Sequence, residues 1–145
     1  PLEESARIDW FSFDLVCLGF PVNQWSPVRS VQKLLQLKLD EYRAQGRVRL
    51  GAPPIPGKHA LVFCTYSGPH TGIDEALPAV KYSGQFFAHL GFDVVDDWCI
   101  VGESHGSEEE SLHGRLGDIR GRPNEADLAE VEGWVEDLIR RIRPS

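Results

Sequence analysis

The sequence lacks the features of a membrane protein or a secreted protein. No apolar stretch approaches the roughly 20 residues that a membrane-spanning helix needs. The N-terminal residues, Pro-Leu-Glu-Glu, do not resemble a signal peptide, in which positive charge precedes an apolar run. Methionine is absent altogether, which leaves open that the natural N-terminus lies elsewhere. These absences predict a cytoplasmic protein that does not use a membrane.

Cysteine is also scarce. The three cysteines, Cys17, Cys64 and Cys99, each lie in a predicted strand, and none belongs to a C-x-x-C pair. An odd number of cysteines in apolar runs favours reduced thiols over disulfides or a metal site. The prediction is three buried, inert core thiols.

Positive charge is in deficit. The chain has 15 Lys and Arg residues against 22 Asp and Glu residues, and its formal net charge is −7. Such a balance disfavours nucleic acid or an anionic membrane as the main partner. At 145 residues and 41% hydrophobic composition, the chain is expected to form a single domain, residues 1–145, with a core of its own.

The sequence does contain a repeated strand–loop–helix pattern. An apolar strand at 13–20 leads through a polar turn to a helix at about 28–45, with Ser26 as its predicted N-cap and Pro27 as its first residue. A second strand at 60–66 leads to a helix at about 73–90, for which Thr71 and Asp74 resemble a capping box.

A third strand falls within residues 92–101, and a polar segment, 102–122, separates it from a last helix at about 124–142. Asn124 and Asp127 are the predicted cap and its N3 partner. A polar segment of this length is expected to be functional or mobile. Because the strands are nearly continuous apolar runs, the fold class predicted is α/β, an open parallel sheet with helices on both faces and strand 60–65 in the middle.

These units resemble the flavodoxin-like family of flavodoxins and FMN-dependent oxidoreductases. The resemblance covers most of residues 13–138. It rests on Asp14-Leu-Val-Cys-Leu-Gly-Phe-Pro21 before the Trp25 loop, and on Leu61-Val-Phe-Cys-Thr-Tyr-Ser-Gly68 before a glycine-containing loop. It also rests on Leu90-Gly-Phe-Asp-Val-Val95 continuing to Ile100-Val-Gly102.

The resemblance implies that FMN binds at the carboxyl ends of the strands. Loops 21–27 and 65–72 then correspond to the loops that flank the flavin ring. The implied cofactor-binding residues are Pro21, Val22, Asn23, Gln24, Trp25, Ser26, Thr65, Tyr66, Ser67, Gly68, His70 and Gly72.

One departure from the family pattern is large. The first strand, its phosphate-binding loop and the second strand have no counterpart here, because only twelve residues precede Phe13. We expect the chain to be the C-terminal part of a longer domain and to bind FMN poorly by itself. We also expect the free edge of strand 13–20 to be paired, by an upstream strand or by a second subunit, since a bare edge invites aggregation.

The alternatives for the site residues stay open at this stage. Trp25 either stacks on a flat heterocycle or plugs the end of its own helix. Tyr66 with Gly68 and Gly72 forms either a ligand-facing loop or a simple strand–helix turn. His70 either donates to a ligand oxygen or is a surface histidine without a role.

Charged residues in and near the 102–122 segment offer weaker possibilities. Its acidic and histidine residues match no specific zinc spacing and favour a solvated loop: His105, Glu108, Glu109, Glu110 and His113. Arg115, Arg120 and Arg122 are expected to pair with nearby carboxylates rather than with a phosphate. Metal ligands and catalytic side chains are therefore not predicted.

The predicted function is that of an FMN-dependent redox protein, either an electron carrier or a small flavin reductase. Its acidic surface suits a basic redox partner protein, and a small-molecule electron acceptor is the other option. The alternative is a flavin-free module of the same fold that serves as an interaction or scaffold domain, since fold does not dictate function. The sequence is also compatible with a homo-oligomer. If the protein is an enzyme, the expected class is an FMN-dependent oxidoreductase.

Overall fold

A strand near the middle of the chain organises the sheet. The computed structural model describes residues 2–143. In it β3 (His59–Tyr66) lies between β1 (Leu15–Asn23) and β4 (Asp93–Val101), and both neighbours run parallel to it. A two-residue strand, β2 (Ser26–Pro27), pairs antiparallel with the end of β1, so the strand order is β2-β1-β3-β4. The predicted open α/β sheet, with strand 60–65 between two parallel neighbours, is confirmed, and the short antiparallel β2 is a strand that the sequence did not predict.

Helices follow the strands as predicted. The long ones are α2 (Arg29–Ala44), α3 (Leu77–His89) and α5 (Glu125–Ile142), and the short ones are α1 (Leu2–Arg7) and α4 (Glu108–His113). Single 3₁₀ turns occupy Trp10–Ser12 and Gly72–Glu75. The predicted helix at 73–90 therefore divides into a 3₁₀ turn and α3, and Pro78 lies in the first turn of α3, where its missing N–H costs little.

The two faces of the sheet carry separate apolar clusters because side chains alternate along each strand. Ala60, Val62 and Cys64 of β3 are fully buried on the side covered by α2 and α3. On the other side Leu61 of β3 packs in a smaller cluster with Trp98 of β4 and Leu138 of α5. Helices thus cover both faces, as predicted, and among the described residues α5 is the helix that packs on the second face.

Capping residues were predicted with mixed success. Asn124 and Asp127 form the predicted reciprocal capping box of α5. The prediction for α2 was wrong, because Ser26 and Pro27 belong to β2 and Val28 is the N-cap. The prediction for Thr71 was also wrong: its side chain makes no capping bond. At α2 the chain stays in a strand for two residues beyond the local signal, whereas Thr71 stands at the N-cap position of a 3₁₀ turn without a side-chain capping bond.

The cysteines follow the predicted pattern only in part. All three lie in strands and are free thiols. Cys64 is buried and Cys99 is half-buried, but Cys17 is exposed, so the prediction of a buried core thiol there was wrong. The apolar cluster beneath α5 includes Leu15 of β1, together with residues of β3 and β4, but it does not include Cys17. Within residues 2–143, no helix is long and apolar enough to cross a membrane.

Candidate cofactor-binding rim

The candidate site lies along one edge of the sheet. Because β1, β3 and β4 are parallel, their carboxyl ends meet there, and Pro21, Thr65 and Ile100 lie side by side across the three strands. Open α/β sheets bind ligands in this position. Helices α2 and α3 begin at the same edge, and neither has a side chain that caps its first N–H groups. We call this edge, with the loops at 23–26, 66–72 and 102–122, the rim.

The first rim element is a tight hairpin turn between β1 and β2. Asn23 pairs with Ser26, and the two residues between them, Gln24 and Trp25, have φ values of 47° and 64°. A two-residue turn with both φ values positive matches the right-handed twist of the strands that it joins. These positive φ values are strained for side chains other than glycine, so the backbone pairing on both sides must hold them.

The turn holds the Trp25 side chain away from the core. Trp25 is 61% exposed, and Pro27, two residues later, is fully buried with β2 against α3. A tryptophan plug over the end of α2 would be buried, so the plug interpretation does not describe this ring. Most of the Trp25 side chain is therefore exposed to solvent at the rim.

The second rim element is the loop at 66–72, which glycine makes possible. Gly68 has a φ of 51°, and a Cβ there would lie 2.5 Å from the carbonyl oxygen of Gly72. The N–H of Gly72 donates to the carbonyl of Gly68 across 3.0 Å, which closes the loop. No larger residue fits at Gly68 without moving backbone. The loop is therefore more tightly specified than an ordinary strand–helix turn.

Glu75 occupies two backbone donors of this loop. Its carboxylate accepts the backbone N–H groups of His70 and Thr71, each at 2.7 Å. A carboxylate on backbone N–H groups occupies the position that a phosphate takes at many helix N-termini. Glu75 was not among the residues predicted for the site. The signal for it was an acidic residue in the first turn after a glycine-containing loop.

The third rim element is the 102–122 segment, which is folded onto the second. The N–H of Arg115 donates to the carbonyl of Pro69 at 2.8 Å, and a Cβ on Gly114 would lie 3.0 Å from the Cα of Pro69. Ser107 caps α4, and Ile119 is almost fully buried. Buried Ile119 and backbone hydrogen bonds thus anchor the segment beside the 66–72 loop.

An ion pair closes the segment against α5. Arg122 donates through Nε to Oδ2 of Asp127 at 3.0 Å and through a second nitrogen to Oδ1. The hydrogen bond from Arg122 holds the pKa of Asp127 at about 2, with the backbone N–H of Asn124 adding to the effect. The N–H of Glu103 donates to the carbonyl of Arg122 at 2.9 Å, which ties this pair to the end of β4.

Burial raises the pKa values of two groups just behind the rim. Tyr66 is 8% exposed, and burial raises the pKa of its phenol. Cys64 and Cys99 are register partners on neighbouring strands. The hydrogen bond with Cys99, together with burial, holds the pKa of the Cys64 thiol far above its usual range. Cys64 is therefore an uncharged core thiol, as predicted, and not a nucleophile.

Several of the remaining charged candidates pair with neighbours in or beside the segment. Arg120 pairs with Asp118 at 2.7 Å, and Glu110 accepts from the Ser104 hydroxyl at 3.0 Å. These pairs support the interpretation of Arg120 and Arg122 as partners of nearby carboxylates. In the part of the chain that the structure describes, no three His, Cys, Asp or Glu side chains are grouped in a way that could hold a metal ion.

The structure brings most of the predicted site residues to one edge of the sheet. Pro21, Val22 and Asn23 end β1, Thr65 and Tyr66 end β3, and the turn and loop residues extend the rim beyond them. His70 is exposed there, while Gly72 is buried beneath the 102–122 segment, where a Cβ would lie 3.4 Å from Leu116. No family model matches this chain, and no curated protein matches it either. The geometry alone therefore carries the functional argument.

Proposed function

We propose that the rim binds the ring of FMN and that the protein is a flavodoxin-like redox protein. The observation that carries the proposal is Trp25, a tryptophan 61% exposed on a strained two-residue turn at the carboxyl end of a parallel strand. Leaving this much apolar surface in water is unfavourable, and so is the positive φ of a bulky residue. Binding of a flat heterocycle would explain why the chain keeps both the exposed apolar ring and the positive φ at this position.

The chain fits one end of FMN better than the other. The flat face of Trp25 and the glycine-shaped 66–72 loop offer a stacking surface and close backbone approach to the ring. The N–H groups of His70 and Thr71 already bond Glu75, so they cannot also hold the phosphate. We therefore expect FMN to be held mainly through its ring, and weakly.

When bound, FMN supplies the electron transfer, and the residues of the chain set where its ring lies and which atoms contact it. Trp25 stacks on the ring, and the 66–72 backbone approaches its edge. The 102–122 segment buttresses that loop through the Arg115–Pro69 hydrogen bond. A net charge of −7 favours docking to a basic redox partner.

Titration with three flavins tests the proposal. FMN, riboflavin and lumiflavin share the ring but differ in the ribityl chain and the phosphate. We expect the three dissociation constants to lie within about tenfold of each other, because ring contacts dominate. Flavin fluorescence quenching and the visible absorption of oxidised flavin are the readouts. Absence of binding by all three supports the alternative, a flavin-free interaction module.

Substitution of the stacking residue is the second test. Trp25→Ala should weaken flavin binding by about 1–3 kcal/mol, or about 5- to 150-fold, as for aromatic–base stacking elsewhere. Trp25→Phe should retain part of the affinity. Tyr82→Ala is the matched control, because Tyr82 is a similarly exposed aromatic residue on α3. Equal affinity of wild type and Trp25→Ala would contradict the stacking role.

A further inference from the structure

The outer side of β1 carries unpaired hydrogen-bonding groups. The backbone carbonyl of Asp14 accepts the N–H of His59 at 2.8 Å. In the parallel register that follows, the backbone N–H and C=O groups of the even-numbered residues of β1 point toward β3. The backbone N–H and C=O groups of Leu15, Cys17 and Gly19 point the other way. Strand β2 pairs with Val22 and Asn23 only, so within residues 2–143 no strand lies along 15–19.

These free groups form a set that is symmetric about Cys17. Beyond Gly19 the set ends at Pro21, which has no N–H. Beyond Leu15 it ends at Phe13, whose N–H donates to the carbonyl of Trp10 at 3.2 Å and whose carbonyl accepts from Lys58 at 3.0 Å. The set of free groups is therefore bounded by Phe13 on one side and by Pro21 on the other, and these two residues are equally far from Cys17 in the chain.

We propose that this edge pairs with the same edge of a second copy of the chain. In the antiparallel register centred on Cys17, Leu15 faces Gly19 of the second copy, Cys17 faces its own counterpart, and Gly19 faces Leu15. Each such pair exchanges two hydrogen bonds. Phe13 and Pro21 then face each other, and neither needs a strand partner for its N–H. An isologous dimer with one continuous sheet results.

Apolar surface beside the edge supports a protein partner. A groove of about 410 Å³ runs along β1 between this strand and α1, and Leu2, Ile8 and Leu18 are among its lining residues. Leu2 and Ile8 are 38% and 44% exposed, although both are large and apolar. Val16 of the second copy lies on the same face of the joined sheet and fills this groove. An unpaired edge beside exposed apolar residues otherwise promotes aggregation.

The charge at the centre of the edge permits self-association. Between Leu15 and Asn23, β1 contains no ionisable side chain except the Cys17 thiol, so no like charges oppose each other across the two-fold axis. Partial desolvation by neighbouring groups raises the pKa of that thiol above its ordinary value of 9.0, so the thiol is uncharged at neutral pH. Dimer formation does not depend on flavin binding, because the rim lies at the carboxyl end of β1 and the proposed contact lies along its side.

Light scattering and sedimentation equilibrium of the 145-residue chain test the proposal. The chain has a mass of 16.2 kDa, and the expected species is a concentration-dependent dimer of twice that mass. Cys17→Pro removes the central N–H without removing a bond to β3 and should raise the dimer dissociation constant at least tenfold. Cys17→Thr keeps the N–H and is the matched control, which should dimerise like wild type.

A second variant and a cross-linking experiment test the proposal even if the proline variant does not fold. Cys17→Lys changes only an exposed side chain, yet it places two ammonium groups across the two-fold axis and should also give a monomer. Circular dichroism and thermal unfolding establish that both variants fold. A short bismaleimide should join two wild-type chains through Cys17, and Cys17→Ser should abolish the product. A monomer at every soluble concentration, or a dimer unaffected by folded Cys17→Lys and Cys17→Pro, would overturn the proposal.

Discussion

At the scale of single residues, one missing methyl group decides the shape of the 66–72 loop. Gly68→Ala adds a Cβ 2.5 Å from the carbonyl oxygen of Gly72, on a backbone with a φ of 51°. Steric overlap and the left-handed conformation both disfavour the folded state, by about 1–3 kcal/mol together. Urea unfolding of the variant measures this loss, and flavin titration should show weaker binding as well.

Gly133→Ala is the matched control for that substitution. Gly133 lies within α5, its φ is not positive, and a Cβ there has no neighbour within 4 Å. Alanine should raise the free energy of unfolding by about 0.5–1 kcal/mol, because glycine loses more backbone entropy on folding. If both glycine variants lose similar stability, the loop is not the special position that its geometry indicates.

Asp127 makes the stability of the protein depend on acid pH. Its folded pKa is about 2 and its ordinary value is 3.8, because Arg122 and the N–H of Asn124 hydrogen-bond to the charged form. The unfolded state therefore binds the proton first, so the contribution of Asp127 is present above pH 4 and is lost as the pH falls from about 4 to 2. Urea unfolding of wild type and Asp127→Asn across this range should converge at the acid end. A difference that does not change with pH would contradict the assignment.

At the scale of elements, the cap of α5 tests how local sequence begins a helix. Asn124 accepts the N–H groups of Ala126 and Asp127 at 2.9 and 3.3 Å. Asn124→Ala should lower the free energy of unfolding by about 1 kcal/mol, since those donors lose their acceptor. Glu136→Ala, at an exposed position within the same helix, is the control and should change stability by less than about 0.5 kcal/mol.

Loss of the α5 cap should also loosen the second face of the sheet. Leu138 is the fully buried residue through which α5 contacts that face, beside Trp98. Fraying from Asn124 should therefore increase amide exchange in the first turns of α5 more than in α2 or α3. Uniform exchange in all three helices would show that α5 does not unfold separately.

At the scale of the whole molecule, the segment before β1 is held by a buried polar contact. The N–H of Trp10 donates to the Tyr42 hydroxyl at 2.8 Å, and Lys38 donates to the carbonyl of Ile8 at 2.6 Å. Tyr42→Phe leaves a buried N–H without an acceptor and should cost about 1–3 kcal/mol. Tyr82→Phe, on the exposed side of α3, should cost nothing measurable.

The same tyrosine predicts an alkaline limit to stability. Burial raises the Tyr42 pKa to about 12, so above pH 10 the unfolded state loses the phenol proton before the folded state does. The contribution of Tyr42 to stability is present below pH 10 and is lost as the pH rises from 10 to 12. Thermal unfolding in this range should show a steeper decline for wild type than for Tyr42→Phe. Parallel curves would contradict the prediction.

The sequence by itself determined the order and type of the main elements. Apolar runs of strand length and helical stripes between them depend on neighbours a few residues away, so 13–20, 60–66 and 92–101 were recognisable as strands of a parallel sheet. Asn124 with Asp127 was recognisable as a cap for the same reason. The placement of 23–26 and 66–72 at one edge followed from parallel strand direction alone.

Only the tertiary structure decided how the ends of those elements are built. Ser26 and Pro27 carry the local signals of a helix start, yet pairing with Val22 and Asn23 makes them a strand and exposes Trp25. Glu75 accepts backbone N–H groups of the 66–72 loop. The 102–122 segment is anchored on the carbonyl of Pro69. Neither contact follows from a local sequence pattern. Cys17 is exposed because the apolar cluster beneath α5 takes in Leu15 of β1 but not Cys17. Local propensities are weak, about 1 kcal/mol or less per residue, so long-range pairing and burial override them where the two disagree.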